Sequence, residues 1–213
     1  MRRIVVAALL VTFAAGCSIA PLLEPRKDVS QFYVLSPMDS TAQGVPITYS
    51  AGGTHKGIAI GLGPVKFPKY LDREEMVTRS SPNQIDLSPI DRWAEPLDKN
   101  FVTVLAQNLT TLLGPEVKNY PWYRPANLDY QIALDVTRFD TDSKGTAVVT
   151  GRWEIEDPDR GDVLNSGEIN LSDAAQSGES NAATLSRATA DLSTQLADAV
   201  RATRHPAAPP KTD

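Results

Sequence analysis

The sequence predicts an α+β domain in which a mostly antiparallel sheet carries two helices packed on one face. Three observations support this fold class. Apolar residues recur at helical spacing over residues 97–113. Apolar and polar residues alternate along residues 128–139 and 147–156, and residues 163–172 follow a turn, as in a three-stranded meander with one buried face. A second helical stripe covers residues 181–203.

The first of these helices is the main packing element in the prediction. Pro96 suits the first helical position, Asp98 suits the positive first turn, and Gly114 followed by Pro115 ends the helix. Burial of each apolar side chain contributes about 1.5–3 kcal/mol before conformational entropy is counted. The side chains that form the stripe are Leu97, Phe101, Val104, Leu105, Leu109, Leu112 and Leu113.

Shorter strands are predicted on both sides of this helix from aromatic and β-branched content. Residues 80–83 have the composition of a hairpin turn between two of the strands. The connection over residues 65–73 contains Pro68 and is predicted to be irregular, with one turn near Tyr70. The predicted strands are residues 31–35, 47–49, 58–62, 75–79, 84–87 and 116–120.

The N-terminal residues 1–16 have the composition of an export signal. Arg2 and Arg3 precede an apolar run that is shorter than the ~20 residues of a membrane-spanning helix. The run leads to Cys17, the single cysteine of the chain, so no intramolecular disulfide can form. A lone thiol at this position is best explained as a lipid attachment point, and an ordinary cleaved signal is the alternative.

The pair Gly16-Cys17 resembles the bacterial lipobox, in which the cysteine is acylated after cleavage, although Ala14 stands where that pattern prefers leucine. Ser18 resembles the outer-membrane sorting pattern. A chain with two or more acyl groups stays on a membrane. The resulting domain plan is a signal at residues 1–16, a lipidated tether at residues 17–30, one domain at residues 31–204 and a disordered tail at residues 205–213.

Charge excludes nucleic acid as a partner class. The net charge of the whole chain is −5, and removal of Arg2 and Arg3 makes it about −7. No dense lysine and arginine face with interleaved aromatic residues is present.

The sequence contains no recognisable catalytic or metal-binding constellation. No second histidine or cysteine stands at metal-ligand spacing from His55 or His205. No Gly-x-Ser-x-Gly nucleophile elbow occurs. We therefore predict that the protein is not an enzyme and needs no metal or cofactor.

A candidate partner interface consists of Tyr70, Asp72, Arg73 and Trp93. Tyrosine, tryptophan and arginine are the residues that most often anchor protein interfaces, and these lie in irregular segments beside the core strands. In the alternative interpretation, Trp93 covers the hydrophobic core, and Asp72 and Arg73 only fix a loop.

Several motifs, taken in order, resemble the PqiC-type family of ABC-transport auxiliary lipoproteins of Gram-negative bacteria. They begin at Cys17 and end with the helix that precedes Gly114. Between these points the motifs are Phe32-Tyr33-Val34-Leu35, Ile60-Gly61-Leu62-Gly63-Pro64-Val65, Pro68-x-Tyr70-Leu71-Asp72-Arg73, Val77-Thr78-Arg79, Asn83-Gln84-Ile85 and Trp93-Ala94-Glu95-Pro96-Leu97.

The resemblance implies an accessory role in an MCE-type system that moves lipids between membranes and supports membrane integrity. The lipoprotein would be held at the periplasmic face of the outer membrane and would dock the periplasmic MCE component, alone or as a homo-oligomer. The family brings no catalytic residues. The alternatives are a periplasmic lipid-binding carrier with an apolar pocket between helix and sheet and, with least support, an envelope hydrolase.

Overall fold

The structure is a computed structural model that describes residues 29–39, 48–51, 54–122 and 127–203. The predicted signal, Cys17, most of the tether and the tail at residues 205–213 lie outside the described residues. The strands are β1 (Gln31–Tyr33), β2 (Thr48–Ala51), β3 (Thr54–Gly57), β4 (Ile60–Lys66), β5 (Glu75–Ser81), β6 (Gln84–Trp93), β7 (Val117–Asn119), β8 (Tyr130–Asp142), β9 (Ala147–Glu156) and β10 (Val163–Asp173). The helices are α1 (Leu97–Leu113) and α2 (Asn181–Ala202), and a 3-10 turn covers Lys69–Leu71.

Eight strands form one mixed sheet in the order β1-β6-β5-β8-β4-β7, with β9 paired to β8 and β10 paired to β9. The predicted meander β8-β9-β10 and the predicted hairpin β5-β6 are both present and antiparallel. Parallel pairs join β1 to β6, β4 to β7, and both β4 and β5 to β8. The antiparallel ladders are the long ones and contain most of the paired residues, so the fold class is α+β with a largely antiparallel sheet, as predicted. β2 and β3 form a separate hairpin.

The core lies between one face of the sheet and the two helices. Alternate residues of β8 are buried, as the period-2 pattern predicts, and the apolar stripes of α1 and α2 are buried with them. Three aromatic rings meet at the centre, with centroid separations of 5.3 Å for Phe67–Phe101, 5.5 Å for Phe67–Phe139 and 5.1 Å for Phe101–Phe139. Two of these pairs are tilted, and the Phe101–Phe139 pair is edge to face, an arrangement that aromatic rings favour.

Both ends of α1 follow the sequence signals. Pro96 lies one residue earlier than predicted, directly before the helix, and Asp98 lies in the first turn, where the helix dipole favours negative charge. Gly114 has φ of 93°, and its N–H donates to the Thr110 carbonyl. Glycine adopts this left-handed conformation without the clash that a Cβ would cause.

Two buried asparagines fasten the segment that follows β1 to the helices. The Leu35 N–H donates to Asn100 Oδ1 at 2.5 Å, and the Met38 N–H donates to Asn108 Oδ1 at 2.8 Å. Asn108 Nδ2 in turn donates to Ser193 Oγ of α2 at 3.1 Å. The strand predicted at residues 31–35 ends at Tyr33 because the backbone beyond it bonds to helix side chains rather than to β6.

Two predicted boundaries were wrong because prolines lie inside strands. β4 continues through Pro64 to Lys66, so only part of residues 65–73 is irregular, and its pairing with β8 shifts register between Leu62 and Val65. β6 continues past Pro89 to Trp93, and its pairing with β5 shifts register over that stretch. A proline, which lacks a backbone N–H, is tolerated in a strand at such a bulge.

The glycines of β4 give room to an aromatic pair. A Cβ on Gly61 would lie 2.9 Å from the Trp122 ring, and a Cβ on Gly63 would lie 2.4 Å from Tyr120 Cβ. The Tyr120 and Trp122 rings pack edge to face, with their centroids 5.2 Å apart. The Ile60-Gly61-Leu62-Gly63 motif thus places Ile60 and Leu62 in the core, with aromatic rings packed against the glycines between them.

Among the described residues, no helix has both the length and the apolar character needed to cross a membrane.

We predict that Leu105→Ala lowers the free energy of unfolding by about 2–5 kcal/mol, because Leu105 is fully buried and its truncation leaves a cavity. Leu112→Ala is expected to behave similarly. Val163→Ala, at a side chain that is 54% exposed, is the control and should change stability by about 0.5 kcal/mol or less. Chemical denaturation measures all three, and an unchanged midpoint for both leucine variants would remove the central role assigned to α1.

Candidate functional site

A groove of about 460 Å³ opens beside the N-terminal end of α1. One wall is residues 67–69 and 71–74, which connect β4 to β5, and the other is residues 93–98, which connect β6 to α1. Phe32 of β1 and Val65 of β4 complete the lining. Three of the four predicted interface residues, Asp72, Arg73 and Trp93, line this groove, and Tyr70 lies in the turn that carries two of them.

Trp93 lies in the groove lining and is only 5% exposed. Its backbone N–H donates to the Glu74 carbonyl at 2.7 Å, and the next residue, Ala94, donates to the Tyr33 carbonyl at 2.9 Å. Its side chain belongs to the hydrophobic core, as the alternative interpretation expected. Trp93 therefore joins three strand ends at the bottom of the groove, and a role in partner contact remains a prediction for it.

Asp72 and Arg73 are exposed on the opposite wall. The 3-10 turn before them is closed by the Leu71 N–H, which donates to the Pro68 carbonyl at 3.0 Å. Arg73 Nε donates to the Tyr70 carbonyl at 2.8 Å, which leaves the outer nitrogens of the guanidinium without a described partner. The Asp72 carboxylate has no partner among the described residues, so both side chains are available at the groove.

A buried carboxylate network supports this wall from below. Asp140 of β8 has a side chain with 0% exposure, and its Oδ2 accepts from the Tyr70 hydroxyl at 2.8 Å and from Arg79 Nη2 at 2.8 Å. Its Oδ1 accepts from Arg138 Nε at 2.7 Å. The Arg79 guanidinium also lies over the Tyr70 ring, 5.5 Å from its centroid. Tyr70 is thereby fixed to two strands of the sheet.

The network shifts the proton affinities of its members. Burial raises the pKa of the Tyr70 hydroxyl, and the hydrogen bond to Asp140 raises it further. The pKa of Arg79 is raised because its charged form donates to Asp140. Tyr70 therefore acts as a neutral donor and Arg79 as a permanent cation around the carboxylate.

Sequence reasoning missed Asp140, Arg79 and Arg138 as site residues. Tyr70 and Arg79 belong to motif segments of the family resemblance, but Asp140 lies just beyond the alternating segment at residues 128–139, where a polar side chain gives no sign of burial. No spacing within the sequence marks the carboxylate as buried, because its donors come from three separate elements.

The residues that line the groove carry more negative than positive charge, and two cations lie just outside the lining: Arg92 is 3.9 Å from Glu74, and Lys99 is 3.4 Å from Asp98. Carboxylates from both walls outnumber the two cationic side chains, Lys69 and Arg73. One carboxylate, Glu95, is held by Asn100, whose Nδ2 donates to Glu95 Oε1 at 2.7 Å. The four carboxylates of the lining are Asp72, Glu74, Glu95 and Asp98.

The described part of the chain contains no group of three or more histidine, cysteine, aspartate or glutamate side chains placed to hold a metal ion. His205 lies outside it, and His55 lies in β3, for which only the backbone is described.

We predict that Tyr70→Phe flattens the alkaline part of the stability profile. The folded protein holds the Tyr70 proton more tightly than an unfolded chain, in which tyrosine titrates near 10.0, so Tyr70 contributes stability below that pH that is lost as the pH rises through its folded pKa. Urea unfolding between about pH 9 and 11 should show a steeper loss for the wild type than for the variant. Tyr120→Phe, at a tyrosine that is 55% exposed, is the control, and parallel profiles for wild type and Tyr70→Phe would contradict the prediction.

Comparison with known proteins identifies the family. No curated protein matches the chain. Two crystal structures share the fold. One is described as an uncharacterized protein; it is 20% identical, has a TM-score of 0.62, and the alignment covers 80% of this chain and 98% of that chain. The other is a Xanthomonas campestris protein of the family model DUF330; it is 15% identical, has a TM-score of 0.58, and the alignment covers 78% of this chain and 92% of that chain. A PelC dodecamer from Paraburkholderia phytofirmans aligns with 16% identity over 70% of this chain and 96% of that one, at a TM-score of 0.38 that is too low to support an argument about assembly.

The family model for the ABC-type transport auxiliary lipoprotein component matches residues 33–197. This range contains the last residue of β1, the groove apart from Phe32, the Asp140 network and most of α2. The resemblance to the PqiC-type family is thereby confirmed. The chain belongs to the family of ABC-type transport auxiliary lipoprotein components.

Proposed function

We propose that this protein is a non-enzymatic lipoprotein subunit of an MCE-type lipid-transport complex, which docks the periplasmic MCE component to the outer membrane and so supports membrane integrity. The observation that carries the proposal is the family match over residues 33–197, which gives the chain a transport auxiliary role in the cell envelope. The MCE component and the outer membrane come from the motif resemblance and from Ser18.

The groove is the proposed docking surface. Two motif segments that are distant in sequence, one ending at Arg73 and one beginning at Trp93, face each other across it. The wall at residues 67–74 is tied to β8 by the Tyr70–Asp140 hydrogen bond, so the exposed Asp72 and Arg73 project from a rigid support. Interfaces concentrate their binding energy in such anchored arginine and aromatic side chains.

The lipid-carrier alternative is less well supported by the geometry. It requires an apolar pocket between helix and sheet, which is where Phe67, Phe101 and Phe139 pack against one another. The groove reaches this aromatic cluster only at Phe67, and its lining carries six charged side chains. Organic extraction of the purified protein distinguishes the two functions, because a carrier would release phospholipid in a fixed ratio to protein and a docking subunit would not.

Membrane attachment is proposed to occur through Cys17, with residues 1–16 removed and residues 17–30 serving as the tether to the domain at residues 31–204. Two or more acyl chains give stable anchoring, whereas one chain gives reversible binding. In this plan the acidic domain needs no membrane affinity of its own.

We predict that Cys17→Ala abolishes stable membrane attachment, because cleavage and acylation both depend on this thiol. The variant should remain as a precursor that is soluble or retained in the inner membrane. Fractionation of cell envelopes, with size analysis of the product, provides the measurement. A mature-size Cys17→Ala protein in the outer-membrane fraction would show that the lipoprotein assignment is wrong.

We predict that Arg73→Ala weakens association with the MCE partner, or between identical subunits, by about 2 kcal/mol or more while changing stability by about 0.5 kcal/mol or less. Arg152→Ala is the matched control, since Arg152 is 74% exposed on β9 and does not line the groove. Pull-down from crosslinked envelopes and the thermal midpoint are measured on both variants. Normal association together with a lowered midpoint would assign Arg73 a structural role only.

A further inference from the structure

β1 ends the sheet and has one edge without a partner strand in the described part of the chain. It pairs in parallel with β6 through Gln31↔Asp91, Phe32↔Arg92 and Tyr33↔Trp93. The Tyr33 carbonyl accepts from Ala94 on the β6 side. Because successive residues of a strand direct their backbone groups to opposite edges, the N–H and C=O of Phe32 point to the open edge.

The side chains at this edge are apolar and exposed. Phe32 is 61% exposed and Val34 is 48% exposed, and Ile90 of the neighbouring β6 is 37% exposed. An open edge with exposed apolar side chains is a template for an additional strand. Phe32 also lines the groove, so the open edge and the groove form one continuous surface.

The charge of the groove selects among occupants. Its lining has four carboxylates and two cations, and the pairs of Glu74 with Arg92 at 3.9 Å and of Asp98 with Lys99 at 3.4 Å are long and partly exposed. Such surface pairs are weak, so the carboxylates still favour a basic segment. A second copy of β1 would bring Gln31–Tyr33, which carries no charge, and therefore matches the groove poorly. A lipid acyl chain would have to lie among six charged side chains. It would displace the water that hydrates these charges and offer no hydrogen bonds in return, which is unfavourable.

We propose, on the basis of the docking function above, that the partner protein binds as an extended segment that carries both apolar and basic residues on one face, at every second position. Its backbone adds as a strand to the open edge of β1 and pairs with Phe32. Its apolar side chains cover Phe32 and Val34, and its basic side chains enter the groove beside Asp72, Glu74 and Asp98. Main-chain hydrogen bonds supply affinity in this mode of recognition, and the side-chain pockets supply specificity.

The test uses fluorescein-labelled heptapeptides and the full-length acylated protein in detergent. The basic peptide has lysine, valine, phenylalanine and lysine at positions 1, 3, 5 and 7, which share one face of a strand, with serine between them. The acidic peptide replaces each lysine by glutamate, and a third peptide carries a central proline that removes strand hydrogen bonding. Fluorescence anisotropy should show the basic peptide binding about tenfold or more tightly than either of the others. Equal binding of the basic and proline peptides would overturn strand addition, and equal binding of the basic and acidic peptides would overturn the charge selection.

Two variants locate the site. Asp72→Lys combined with Glu74→Lys should reverse the preference between the basic and acidic peptides, whereas Val163→Ala, which changes an exposed apolar residue of β10, should leave it intact. Hydrogen exchange in the presence of the basic peptide should slow at the Phe32 amide. Unchanged exchange there, or an unchanged preference in the double lysine variant, would overturn the assignment to this edge.

The outcomes separate this inference from the proposed function. Capture of the MCE component without selective binding of the basic peptide would overturn the extended-segment mode and leave the docking function in place. Selective peptide binding without capture of the MCE component would support the binding mode and overturn the assignment of that partner. Sedimentation without peptide tests for self-association. If the mass of the protein rises with its concentration, and Phe32→Ala abolishes this rise, a second copy occupies the edge and the inference is overturned.

Discussion

The groove exists because β8 shares one of its edges between two strands. β9 pairs along the other edge from Gln131 to Thr141, whereas β4 takes residues 130–135 and β5 takes residues 141–142 of the shared edge. Both β4 and β5 run parallel to β8 and follow each other closely in sequence. The chain between them must therefore leave the sheet and return to it, and residues 67–74 form one wall of the groove as they do so. The site follows from strand pairing rather than from an inserted loop.

The Asp140 network holds this excursion in one conformation. A fully buried carboxylate loses its hydration, and two guanidinium groups with a tyrosine hydroxyl replace that hydration at 2.7–3.1 Å. A buried ion pair of this kind adds less net stability than its short distances imply, because desolvation opposes the attraction. Its larger effect is geometric: the Tyr70 hydroxyl donates to Asp140, and this bond ties the turn that bears Asp72 and Arg73 to β8. The network thus adds little to folding stability, and its main effect is to position the groove wall.

Local periodicity accounts for the parts of the fold that the sequence predicts. α1, α2 and the β8-β9-β10 meander bury one face each, so their apolar spacing is visible without knowledge of their partners. The parallel pairs of β8 with β4 and β5 join residues far apart in sequence and leave no local pattern. The predicted strands ended before Pro64 and Pro89, whereas β4 and β6 continue past them, because a bulge that tolerates proline cannot be recognised from composition. Of the site, the exposed Asp72 and Arg73 were accessible to reasoning from residue type, whereas buried Asp140, Asn100 and Asn108 depend on partners from distant segments.

Asn100 links the groove to the edge strand and thereby makes one surface of two features. Its Oδ1 accepts from the Leu35 N–H just after β1, and its Nδ2 donates to Glu95 in the groove wall. One buried side chain on the first turn of α1 therefore sets the position of β1 relative to the wall at residues 93–98. The opposite wall is set independently by Asp140. A surface whose parts are held by buried hydrogen bonds loses little conformational entropy when a partner binds, so more of the contact energy is expressed as affinity. The same polar groups that add little to folding stability thus prepare the groove and the edge of β1 for recognition.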